Sequence, residues 1–221
     1  MKVLSIISQK GGVGKTTLAT ALAVAAEKAG QQVAILDLDD QASACFWSDI
    51  RESPTPAVKD VKAVRLGVYL DSIREAGCDL VIIDCPPVHK DIALDAAAPA
   101  DFVLIPSKPD LFDIHSMTMT VNLLSKIAKP SAVVLTFCPP AGPEVPGARA
   151  AVQDIGAQLC PVEIGLRKSY ARAQQSGQTA QEFEPDGKAA EEISNLYKYT
   201  CIQLFSNESH HDKTQSLASC A

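Results

Sequence analysis

The stretch Lys2-Val3-Leu4-Ser5-Ile6-Ile7-Ser8-Gln9, followed by Lys10-Gly11-Gly12-Val13-Gly14-Lys15-Thr16-Thr17, decides the fold. Residues 2–8 form an apolar run of strand length that ends on a glycine-rich loop. The Ala/Leu-rich stretch from Lys15 to Ala29, stopped by Gly30, reads as a helix. Strand, glycine loop and helix in that order make a phosphate cradle. Glycines let successive backbone N–H groups turn toward anionic oxygens, the helix N-terminus adds its dipole, and a lysine reaches the outer phosphates. Gly11, Gly12, Gly14 and Lys15 supply these parts. Thr16 offers a hydroxyl to Mg²⁺ bridging two phosphates, and Thr17 is placed to reach the α-phosphate.

Outward from the loop, Gln32–Leu38 and Asp79–Asp84 are two more apolar strands, and both run into carboxylates at their C-termini. Phe102–Pro106 and Ala132–Phe137 are further strands and Pro161–Gly165 a weaker one, with a helical stretch between each pair. Strands alternating with helices imply parallel pairing through right-handed crossovers, hence a mostly parallel twisted sheet with helices on both faces. Ligands of such sheets bind outside the strand C-termini, where the loop and both acidic clusters fall. Arg51–Lys62, with Pro54 and Pro56, reads as a surface connection. Cys138–Gly147 is similarly rich in Pro and Gly, Lys188–Phe205 has helical spacing, and residues 206–221 form a polar tail with no expected order. Residues 1–205 are thus expected to be one domain.

The chain has 221 residues, 47% hydrophobic and only 5% aromatic, which suits a sheet of small branched residues under Ala-rich helices. A formal charge of −6 excludes a global attraction to nucleic acid or anionic membrane, so any such contact has to come from a local basic patch. The 7 Cys are odd in number, scattered and without a CxxC pair, and no signal peptide or membrane-length apolar run accompanies them. They are expected to be reduced thiols in a cytoplasmic protein.

The loop departs from GxxxxGK[ST], because position 9 is Gln9 rather than Gly and Lys10 precedes the glycines. In this it resembles the deviant Walker A loop, KGGxGKT[T], of the ParA/MinD family of P-loop ATPases. Asp37-Leu38-Asp39-Asp40-Gln41 is similar to that family's DxDPQ switch segment, with Asp40 in place of the proline. Val81-Ile82-Ile83-Asp84-Cys85-Pro86-Pro87 is similar to its Walker B strand and the proline-bearing switch after it. The likeness continues through Val103–Pro109 and Phe183–Ala190 and so covers nearly all of the chain to about residue 205.

The resemblance implies a P-loop NTPase fold, with ATP and Mg²⁺ as ligands. The phosphates would be held by Lys10, Gly11, Gly12, Val13, Gly14, Lys15, Thr16 and Thr17. It implies that Lys10 reaches across a dimer to the partner's nucleotide, that Asp39 helps to place the attacking water and the metal's water shell, and that Asp84 holds a metal-bound water beside Thr16. Catalysis then rests on Lys10, Lys15 and Asp39. Where many relatives carry an Asn that contacts adenine, this chain reads Thr136-Phe137-Cys138-Pro139-Pro140.

Partition-type members of the family bind DNA non-specifically as ATP dimers through basic residues late in the chain. The candidates here are Arg167, Lys168 and Arg172, the last two four apart on one helical face. The resemblance therefore implies a homodimer on ATP binding, a ParB-like or other centromere-binding partner, and a nucleoid-associated place in the cytoplasm. The tail, with His210 and His211, is too polar for the membrane-targeting helix of the MinD branch. A positioning ATPase with a non-DNA cargo is the alternative. An iron–sulfur reductase relative, using Cys85 and Cys138, is a more distant one.

Overall fold

A computed structural model describes residues 1–87 and 90–205; the polar tail and its histidine pair lie outside them. Six parallel strands form one sheet in the order β3-β2-β4-β1-β5-β6. They are β1 (Lys2–Ile6), β2 (Val33–Asp37), β3 (Ala57–Asp60), β4 (Leu80–Asp84), β5 (Phe102–Ser107) and β6 (Ser131–Leu135). The helices are α1 (Lys15–Lys28), α2 (Ser43–Asp49), α3 (Leu66–Glu75), α4 (Lys90–Ala97), α5 (Leu111–Ser125), α6 (Glu144–Asp154), α7 (Lys168–Gln174), α8 (Ala180–Phe183) and α9 (Lys188–Phe205).

Strand alternation divides the core into two layers. Leu4, Ile6, Ile35, Ile82, Leu104 and Val134 face α1, α2, α7, α8 and α9. Val3, Leu36, Val81, Ile83, Val103, Ile105 and Leu135 face α3, α4, α5 and α6. Both sheet faces are covered, which is why these strands read as continuous apolar runs rather than alternating ones. Each fully buried Leu or Ile contributes on the order of 1.5–3 kcal/mol relative to exposure.

Two sequence expectations are corrected. Ala57–Asp60, inside the expected surface connection, is edge strand β3, paired in register with Ala34–Asp37. It was hidden because the prolines precede it and because, at the sheet edge, its side chains are largely exposed. Pro161–Gly165 is not a strand: beside it are two isolated bridges, Leu159 to Val133 of β6 and Gly165 to Cys138 beyond the end of β6. Pro161 has no N–H to donate, and the ladder breaks between the two bridges. The other strands and the last helix lie within a residue or two of expectation.

This topology opens one crevice. The helix after β1 packs on one face, whereas the helices after its neighbours β4 and β5 pack on the other. The chain therefore splits at the C-terminal end of β1, the position where open α/β sheets take ligands.

Candidate functional site

The loop after β1 occupies that crevice. Gly12 and Gly14 have positive φ of 69° and 90°, a backbone that lets consecutive N–H groups point inward and that an L side chain resists. Gly14 is the N-cap of α1, where no side chain caps the helix and no acidic residue lies in the first turn. The first N–H groups of α1 are thus left for an external anion. Behind the loop, Val13 is buried and the Thr136 hydroxyl donates to its carbonyl at 2.9 Å, fixing the loop to the end of β6.

Lys15 is buried, and its ammonium donates to the Lys10 carbonyl at 3.0 Å. Desolvation lowers its pKa, opposed by the nearby carboxylates of Asp84 and Asp39. A desolvated ammonium on the loop is an electrostatic socket for phosphate.

Register explains the acidic cluster. Asp37 pairs with Asp84 across β2 and β4, so the two strand-end carboxylates lie side by side. Their tasks differ. Asp37 accepts N–H groups from Asp39 at 3.0 Å and Ala44 at 2.9 Å, so it ties the switch segment to the start of α2. Burial raises its pKa and these N–H donors oppose the rise. Asp84 accepts the Thr16 hydroxyl on Oδ2 at 2.6 Å, while Oδ1 is buried with no hydrogen-bond partner among the described residues. Burial pushes its pKa up to about 7, with Thr16 opposing. An orphaned carboxylate oxygen beside a threonine hydroxyl fits a hydrated divalent cation, which would relieve both the unmet acceptor and the buried charge. Asp39 is partly exposed, accepts the Gln41 N–H at 3.0 Å and lines the cleft with Thr16 and Thr17.

That cleft is about 840 Å³ and runs from Gly11–Thr17 past Asp39 to α2 and α7. A second, apolar pocket of about 500 Å³ adjoins it through Gly14, Thr17 and Phe137, and is lined by Leu18, Ile164, Leu166 and Tyr170. Phe137 forms the shared wall in the left-handed region at φ 54°, strained for a bulky residue. The Lys108 ammonium lies 4.8 Å from its ring centre.

The structure gathers Gly11–Thr17, Asp39 and Asp84 around the crevice. Lys10 stands at its edge, where its ammonium pairs with Asp113 Oδ2 at 2.9 Å. Arg167 and Lys168 stand at the start of α7 on the lining of the adjoining apolar pocket, and Arg172 lies further along the helix, outside both cavities. Lys168 and Arg172 are exposed, whereas Arg167 is paired to Glu192 at 2.6 Å, a contact that raises its pKa. Sequence reading passed over Asp113 and Gln174, whose amide donates to the Thr17 hydroxyl at 2.9 Å, and assigned no role to Phe137 in the stretch where relatives carry an Asn. No local pattern marks them, because each meets the loop from far along the chain. Cys85 and Cys138 are buried, and the Cys138 thiol is pushed up to about 12 by burial.

A family described as the CobQ/CobB/MinD/ParA nucleotide binding domain matches residues 4–180. Maintenance of carboxysome distribution protein A from Gloeobacter kilaueensis is 32% identical over 211 residues, covering 92% of this chain and 94% of its own. Protein ParA from Rhizobium radiobacter is 29% identical, covering 80% and 84%. An ATP complex of McdA from Cyanothece superposes with TM-score 0.74 at 21% identity over 90% of this chain and 95% of that one. MinD with Mg-ADP from Pyrococcus horikoshii also superposes at 0.74, with 18% identity over 90% and 95%. At those identities the structures establish the shared fold.

Proposed function

We propose, from the premise that this chain belongs to the CobQ/CobB/MinD/ParA family of nucleotide-binding domains, that it is a ParA-like positioning ATPase. ATP binding joins two copies face to face, the pair holds DNA non-specifically, and a partner protein stimulates hydrolysis to release it. The observation that carries this reading is the lysine pair at one loop. Lys15 is buried in its own crevice, while Lys10 stands at the rim with 39% of its side chain exposed. A cation at the rim offsets triphosphate charge most when a second subunit faces it.

In this reading the N–H groups of Gly11–Thr17 and the Lys15 ammonium bind the phosphates, and the apolar pocket beside Phe137 takes the nucleoside. Thr16 and Asp84, with Asp39 through water, are the residues that would hold Mg²⁺, which when bound supplies positive charge between phosphate oxygens. Asp39 orients the attacking water for in-line displacement. Lys15 and the partner's copy of Lys10 stabilise the charge developing on the transferred phosphoryl oxygens. A slow intrinsic rate keeps the bound state alive until the partner arrives.

Lys168 and Arg172 supply the DNA-facing charge, doubled in the dimer, with Arg167 beside them held by Glu192. The cargo is either a protein assembly or a plasmid or chromosome bound through a ParB-like adaptor. The near full-length match to a protein named for carboxysome distribution supports the first. The ParA match supports the second. In light scattering, Mg-ATP should double the mass, and the same sample should then shift DNA in a salt-dependent manner; a mass unchanged by ATP refutes the reading.

A further inference from the structure

In the single subunit Lys10 is already engaged. Its ammonium, besides pairing with Asp113, stands 5.7 Å from the centre of the Phe112 ring, in the first turn of α5. The two partners differ in exposure, 39% for the Lys10 side chain and 6% for Asp113. Asp113 Oδ1 is buried and accepts no hydrogen bond among the described residues. Asp110 caps the same turn, accepting the Asp113 N–H at 3.3 Å. Burial first and the Asp110 carboxyl second raise the pKa of Asp113, while Lys10 lowers it. Lys10 is thus the cation that makes a nearly buried carboxylate tolerable.

One ammonium cannot serve that carboxylate and a phosphate on another molecule at once. We propose that Asp113 is a positioning residue that holds Lys10 within its own subunit, so that dimer formation is an exchange of the ammonium from Asp113 to the partner's bound triphosphate. This rests on the positioning-ATPase reading above. Departure of Lys10 leaves Asp113 buried and uncompensated, which disfavours pairing until a more highly charged acceptor is presented. A triphosphate presents more charge than a diphosphate, so the contact sharpens the distinction between the two nucleotides. Leu111 and Phe112, 75% and 74% exposed, flank the contact on the same turn and are surface a second copy would cover.

The test uses the full chain with Asp113→Asn, and with Asp110→Asn, which keeps a good helix cap and serves if the first variant does not fold. In nucleotide-free protein, acylation of Lys10 by a soluble acetylating reagent, measured by peptide mass spectrometry against Lys126, should rise in Asp113→Asn. The ATP concentration for half-dimerisation should fall about 5-fold, the scale of a partly exposed ion pair. Asp110→Asn should move both readouts the same way by less. Unchanged Lys10 reactivity and midpoint in a folded variant, or a variant that melts normally yet dimerises less readily, overturns the proposal. A wild-type chain that stays monomeric in saturating Mg-ATP removes the functional reading itself, whereas a dimerising wild type with indifferent variants removes this inference alone.

Discussion

The Thr16 hydroxyl donates to Asp84 Oδ2 at 2.6 Å, joining the first turn of α1 to the end of β4 across 68 positions of sequence. The contact brings the threonine after the glycine loop and the strand-end aspartate into one site and leaves the other Asp84 oxygen without a partner among the described residues. Asp84 is therefore poised between a proton and a cation.

Because the folded pKa of Asp84, about 7, lies above the ordinary carboxylate value, the native state binds the extra proton between those limits. Stability from this group is accordingly present at low pH and lost as pH rises through about 7. Asp84→Asn should raise the melting temperature of the nucleotide-free chain by several degrees at pH 8 and by much less at pH 5, roughly 2–4 °C per kcal/mol for a chain of this size. The same variant should lose Mg²⁺-dependent nucleotide binding. Equal shifts at both pH values in calorimetry would show that Asp84 is not the titrating group.

Substitution at the two loop lysines should separate binding from assembly. Lys15→Ala removes the buried ammonium and should weaken ATP binding on the order of 100-fold, the scale of removing a charge-assisted hydrogen bond from a desolvated site. Lys10→Ala should bind ATP as a monomer within a few-fold of wild type and fail to dimerise. Fluorescent-nucleotide titration and sedimentation of the same samples distinguish them; a Lys10→Ala dimer at normal ATP concentration contradicts the cross-subunit role.

Under the proposed mechanism, replacing Asp39 should trap the assembled state. Asp39→Ala is expected to retain ATP binding and dimerisation while hydrolysis falls by about 10²-fold or more, as for loss of a positioned base or orienting group. Single-turnover hydrolysis beside light scattering reads both; wild-type turnover in the variant removes Asp39 from the chemistry.

Phe137 should show opposite effects on fold and ligand. Its left-handed backbone at φ 54° suits Asn better than Phe. Phe137→Asn should leave stability unchanged or raise it by up to about 1 kcal/mol of relieved strain, read as an equal or slightly higher melting temperature, while loss of the ring from the pocket wall lowers nucleotide affinity. A variant that melts well below wild type with affinity intact would assign Phe137 to packing alone.

The basic face of α7 should be visible in salt dependence. Lys168→Ala with Arg172→Ala should reduce the slope of log K against log salt by roughly 3–4 for a dimer, at about 0.9 for each phosphate no longer neutralised. Arg167→Ala should instead loosen the loop that Glu192 holds, through the Gly165 N–H at 3.2 Å as well as the guanidinium. A double variant with the wild-type salt slope places DNA on another face.

Much of this was legible locally. The Val3, Leu4, Ile6 and Ile7 side chains in residues 2–8 read as a strand covered on both sides, and glycines spaced as in Gly11, Gly12 and Gly14 suit a backbone wrapped around an anion. Asp37 and Asp84 were readable as strand-end carboxylates for the same reason. Strand β3 was not readable, because four largely exposed edge residues carry no hydrophobic pattern. The break at Pro161 was also missed, since apolar composition does not register a missing N–H.

Sequence by itself determined most of the elements, their parallel pairing and the strand, glycine loop and helix that open the chain, because each depends on periodicity or backbone conformation within a few residues. Tertiary structure alone decided that Asp37 braces the switch segment while Asp84 keeps an oxygen free, that Phe137 walls the apolar pocket, and that Lys10 lies against Asp113. Those outcomes depend on which buried groups find partners, and for these residues the partners or walls come from remote strands and helices that only the folded sheet brings to one edge.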